Sequence, residues 1–241
     1  TESGTNPLHA LAFKSEDMEV LKYLIGKGVK VDQQDAQGST PIINAAYQNN
    51  LAYLSFMVEH SDDINVVNKK GLSAFMAAIQ YNSPEVVSFL IQKGADVSLC
   101  DTENNGSGYY LIESFDVKKQ EQFKKKLELL IDSGFNLRST SGKGNNLYHL
   151  AVQKNKTQLL DILHAMKVSL NVKNDEGYTA LHIAAMQAED DQVLKYLIEK
   201  GADKTITTSF QETAYDLAKE NEILIQKDVS IDFLKWRSIE F

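Results

Sequence analysis

The sequence has one cysteine in 241 residues, Cys100. An internal disulfide and a thiolate metal cage are therefore both excluded, and a reducing, cytoplasmic compartment is the expectation. No run of about 18 apolar residues occurs, so no helical membrane span is expected, and the N-terminus carries no charged-then-apolar signal pattern. Segments of the GxSxG, HExxH, Walker and GxGxxG kinds are missing too. Positive charge is scarce: 25 Lys and Arg face 33 Asp and Glu, a formal net charge of -8. That balance argues against a general binder of nucleic acids or anionic membranes and mildly favours basic partners. The first residue is Thr1 rather than an initiator Met, from which we expect an excised segment or a processed chain.

Apolar residues make up 43% and charged ones 24%, as in an ordinary folded protein. Residues 177–203 show their arrangement. Leu181, Ala184 and Ala185 fall at i, i+3 and i+4, and Val193, Leu194, Leu197 and Ile198 at i, i+1, i+4 and i+5. Two short helices, each with one narrow apolar stripe, are predicted. Helices of two or three turns are marginal in water, and a copy of the same unit is the simplest cover for such a stripe. Copies are present. The residue closing the second helix recurs as Gly28, Ser61, Gly94, Gly134, Lys167 and Gly201, at intervals of 33, 33, 40, 33 and 34. The opening segment recurs as TNPLHALA, STPIINAA, LSAFMAAI, NNLYHLAV and YTALHIAA. Periodicity alone predicts an all-helical array of two-helix units.

With these T-P-L-H-x-A openings and this period, the chain resembles the ankyrin repeats. The resemblance implies an all-α solenoid of stacked helix-turn-helix units with β-hairpin-like loops, a single domain over 1–241. Its repeats are placed at about 4–37, 38–70, 71–101, 102–141, 142–174 and 175–208. A capping repeat follows at 209–235, charged on its outer side as a solubilising end requires. The fourth repeat departs from the pattern. It lacks the T-P-L-H segment, opens on the loose NNGSG of 104–108, and holds seven extra residues placed around FDVKKQEQFKK. A bend, a mobile segment or a partner-specific protrusion is expected there.

His9, His149 and His182 stand at equivalent repeat positions. Histidine is the usual general base and a common metal ligand, but one copy per repeat points to a structural task. The resemblance assigns it a hydrogen bond to backbone between neighbouring units. The acidic run Glu189, Asp190, Asp191 does not alternate its ligands as a calcium loop does, and it suits a helix entry, where the dipole favours acids. No catalytic residue, metal site or cofactor is therefore expected. Lys118, Lys119, Lys124, Lys125 and Lys126 form the one basic cluster. It reads as a solvated helix face or as a docking patch for an acidic partner or phosphate.

Ankyrin proteins bind through loop tips and the exposed side of the first helices, which line a concave face. The resemblance thus implies a non-enzymatic protein-binding module, expected as a monomer. In this chain the loop-tip positions include Lys69, Lys70, Leu72, Asp175, Glu176 and Tyr178, and the first-helix positions include Phe13, Lys14, Tyr47, Tyr81 and Met186. Phe13, Tyr47, Tyr81, Tyr178 and Met186 are more apolar than solvent-facing places require. Aromatic residues and Met are enriched at binding surfaces, and two readings stand: these side chains meet a partner, or they cover the neighbouring repeat. The alternative function is a regulatory or targeting region of a larger polypeptide.

Overall fold

The computed structural model describes residues 3–13, 17–48, 50–136 and 141–236; Lys14 lies outside them. The chain packs as two compact units, divided between Phe135 and Asn136. In the first unit four helix pairs follow one another: α1 (Pro7–Leu11) and α2 (Met18–Gly26), α3 (Pro41–Ala46) and α4 (Leu51–Glu59), α5 (Ala74–Tyr81) and α6 (Pro84–Gln92), α7 (Ser107–Glu113) and α8 (Gln120–Asp132). The second unit holds α9 (Leu147–Gln153) and α10 (Thr157–Ala165), α11 (Ala180–Gln187) and α12 (Gln192–Glu199), and α13 (Ala214–Glu220) and α14 (Glu222–Gln226).

Local chemistry sets where these helices start. Pro7, Pro41 and Pro84 occupy the first turn of α1, α3 and α6, where the missing N–H would have had no partner anyway. Before α3 and α5 the hydroxyls of Thr40 and Ser73 accept the amides of Ile43 and Met76, one of the orphan donors every helix start leaves. Because none of the first helices exceeds eight residues, they survive by packing on one another. Thus α3 packs on α5 and α5 on α7, while α9 packs on α11 and α11 on α13. Ala45, Ala78, Ala151 and Ala218, all buried, keep those contacts close. Larger side chains fill the space beneath, with Tyr53, Met57, Phe75 and Phe123 buried in the first unit and Tyr148, Leu160, Leu194 and Leu197 in the second.

The pairs are joined by hairpin turns with a shared design. In the first unit Asp35, Asn68 and Asp101 each accept two backbone amides with one side-chain oxygen. Asn174 repeats this in the second unit, and the Thr208 hydroxyl substitutes for it in the last turn. Each turn contains a residue with positive φ, at Gly4, Gly38, Gly71, Asn104, Gly144, Gly177 and Gln211. Successive tips are bonded main chain to main chain, Lys69 N to Gln37 O and Thr102 N to Lys70 O in the first unit, Asp175 N to Lys143 O in the second.

The extra residues of the fourth repeat form a short 3-10 turn at Val117–Lys119 and lengthen α8 to 13 residues. Phe123 anchors them, its ring meeting Phe115 edge to face at 5.3 Å, and α8 rests on α6 through buried Phe123, Leu127 and Leu130, while residues 116–119 are exposed. Reading the basic cluster as one solvated face needs correction at Lys126, which is only 4% exposed.

Candidate functional site

Each repeat must satisfy the exposed ends of its first helix before its surface is free for anything else. At the N-terminal end the repeat histidines do this. His9 Nδ1 accepts the Asn6 amide at 3.2 Å and His149 Nδ1 accepts the Asn146 amide at 3.0 Å. That leaves the proton on Nε2, which donates to the next repeat, to Ser39 O at 3.0 Å and to Tyr178 O at 2.9 Å respectively. His182 Nδ1 likewise accepts the Thr179 amide at 3.1 Å, but its Nε2 has no hydrogen-bond partner among the described residues. Burial holds His149 and His182 below the usual imidazole range, against the opposing pull of nearby backbone carbonyls. In the last repeat Asp216 takes the same position, accepting the Thr213 amide and hydroxyl.

At the C-terminal end a side chain from the following repeat caps a first-helix carbonyl. Asn82 Nδ2 donates to Ala46 O, and 36 residues likewise separate Asn221 from Ala185, whose carbonyl Asn221 Nδ2 reaches at 3.0 Å. Counting the same 36 residues on from Ile79 reaches Phe115, whose side chain has no amide to donate. There Lys126 supplies the cap from α8, its Nζ at 2.8 Å from Ile79 O. Neither the Asn pair nor Lys126 was visible in the sequence as a cap.

Tyr47 and Tyr81 come together across neighbouring repeats, ring centroids 5.3 Å apart. Tyr47 is half-buried by this, and burial, then Tyr81, pushes its phenol up. Tyr81 itself is 57% exposed, and Phe13 50%. So Tyr47 covers the neighbouring repeat, while Tyr81 and Phe13 stay open to solvent. Lys69 and Lys70 project their side chains into solvent while their backbone groups join the tips. Lys70 and Leu72 also border a hollow of about 490 Å³ whose far side is Tyr109 and Tyr110. Tyr110 donates to Asp101 at 2.6 Å; burial alone would raise Asp101, but this bond and those from Asn105 and Glu103 outweigh it and hold the carboxyl low.

In the second unit Asp175 and Glu176 are exposed at a tip, Glu176 pairs with Lys143 at 3.3 Å, and Met186 is exposed on α11. Tyr178 is half-buried, its ring 6.3 Å from His182. One exposed tip residue escaped the sequence reading, Phe210 at 76%. Its signal was register, since it stands three residues before Thr213 as Lys70 does before Ser73 and Glu176 before Thr179. Among the described residues no group of three His, Cys, Asp or Glu side chains is arranged to hold a metal ion, and no helix is long and apolar enough to cross a membrane.

Comparison with known proteins agrees with this geometry. The human ASB11 ankyrin repeat domain superposes with a TM-score of 0.74, covering 97% of this chain and 100% of that one at 18% identity, a likeness of fold alone. A chain from the complex of a predatory endopeptidase of Bdellovibrio bacteriovorus with an immunity protein is similar at 27% identity and a TM-score of 0.60, over 75% of this chain and 91% of that one. Among curated relatives, the nuclear factor NF-kappa-B p105 subunit of Gallus gallus is 26% identical over 189 residues, 77% of this chain and 19% of that protein. The chain spans well under half the length of the curated relatives it first matches. The family model for ankyrin repeats in three copies matches residues 3–101 and 117–208, and by that match the chain belongs to the ankyrin-repeat family.

Proposed function

We propose that the chain is a non-enzymatic module that binds a protein partner on the concave face expected of its first helices and hairpin tips. The observation that carries this reading is the pair of exposed rings, Tyr81 at the end of α5 and Phe13 two residues beyond the end of α1. Lys69, Lys70 and Leu72 continue that surface in the first unit, and Asp175, Glu176, Tyr178 and Met186 supply its counterpart in the second. Rigid side chains on prebuilt turns lose little entropy on association. The net charge of -8 mildly favours a basic partner, the single thiol a reducing, cytoplasmic setting, and we take the free chain to be a monomer.

Affinity capture with wild-type chain beside the variant Phe13→Ala, Tyr47→Ala, Tyr81→Ala tests the reading, provided both melt alike. A protein held by wild type and lost by the variant supports it; equal capture by both refutes the aromatic contact. A second reading is favoured by the length of the relatives: the repeats would be the regulatory or targeting part of a longer polypeptide. A longer reading frame with a further domain, together with failure of the isolated repeats to capture anything, would favour it.

A further inference from the structure

Between the turn that joins α5 to α6 and the connection from α7 to α8 lies a hollow of about 400 Å³, away from the hairpin tips. Two of its lining groups are buried and short of partners. Lys126 spends one N–H on Ile79 O at 2.8 Å and has no carboxylate partner among the described residues. Asn82, 4% exposed, gives its Nδ2 to Ala46 O and leaves Oδ1 with no hydrogen bond. An unpaired buried ammonium and an unpaired buried carbonyl are both costly. A second cation, Lys119, and the amide of Gln122 line the same hollow, with Asp116 also on its wall.

This set has a definite complement. One buried cation with two donors to spare asks for an anion, and Asp116 disfavours a dianion such as phosphate. We propose that the hollow binds a small carboxylate monoanion, such as an N-acylated amino acid or the C-terminal residue of a peptide. Lys126 and Lys119 hold the carboxylate. Burial, with Lys119 beside it, lowers the proton affinity of Lys126 to about 8, and a bound carboxylate restores it. A volume of this size suits a small ligand.

Tyr81 of the proposed partner face also lines the hollow, but thermal shift and titration calorimetry with N-acetylglycine need no partner protein, so their failure leaves the proposed function standing. Saturating N-acetylglycine is expected to raise Tm by about 2–4 °C, and N-acetylglycinamide, which lacks the carboxylate, to do nothing. Lys126→Met, with folding checked by circular dichroism, abolishes the shift; Lys119→Gln, at an exposed position, keeps the fold and weakens binding. A short peptide binding more than tenfold tighter with a free than with an amidated C-terminus identifies a peptide end as the source, and equal affinity with N-acetylglycine a free acid. No shift with either probe, or the same shift in Lys126→Met, overturns the proposal.

Discussion

His149 sits between two backbone groups, accepting one and donating to the other, and its lowered proton affinity makes it a reporter of pH. The unfolded side chain titrates near 6.5, the folded one lower, so the unfolded state takes up protons first as pH falls. Stability is then full above about pH 6.5 and declines below it. Tm is expected to fall between pH 7.5 and 5, with His182 adding to the effect in the same direction. His149→Ala should cost about 1–3 kcal/mol at pH 7.5 by chemical denaturation, because it leaves buried groups unpaired, and should flatten the acid slope. A slope unchanged in His149→Ala would remove this account. Lys126 works in the opposite window. Its folded value of about 8 lies below the ordinary 10.5, so stability rises as pH climbs from about 8 to 10.5. Lys126→Met removes a desolvated charge but leaves Ile79 O without its cap, so its stability at pH 7 is expected to stay within about 1–2 kcal/mol of wild type, and it should lose that rise. The histidines were legible in the sequence because their partners recur at fixed repeat positions. Lys126 was not, since the carbonyl it caps lies 47 residues away and only the loss of an Asn at Phe115 marks the need for it.

The hairpin turns carry the next level of constraint. Gly71 has φ +77°, and a Cβ there would sit 2.7 Å from Asp101 Cα in the following turn. Gly94 has φ +88° with open space around it. Both alanine variants bear backbone strain of about 1 kcal/mol or more, but Gly71→Ala must also move a neighbouring turn. It is expected to be clearly the more destabilising of the two in urea unfolding; equal costs would contradict the tip-to-tip contact. Gln211 holds the same left-handed place without being Gly, at φ +65°, and Gln211→Gly should stabilise by about 0.5–1 kcal/mol. The period of 33 announced these turns, because each needs one special backbone residue per repeat. The fourth repeat was harder to read. Its seven extra residues carry charge, which reads as solvated surface, while the helix they lengthen buries Phe123, Leu127 and Leu130 at spacings of four and three.

For the molecule as a whole, the caps and struts use up the backbone and leave side chains as the variable surface. Fold and family were legible from the repeat alone, since stacking makes the same demand on every unit. The binding residues were legible only as positions, because a surface side chain answers to a partner rather than to the chain's own packing. Tyr47 shows the difference: it belongs to the candidate face by register, and the structure half-covers it with Tyr81. The measurement that tests the central claim most directly is the affinity of a captured partner for wild type and for the Phe13→Ala, Tyr47→Ala, Tyr81→Ala variant, by titration calorimetry at matched Tm. Aromatic anchors at an interface cost about 2 kcal/mol or more when truncated, so the account predicts binding weakened at least about thirtyfold. An affinity unchanged by the three substitutions would contradict it.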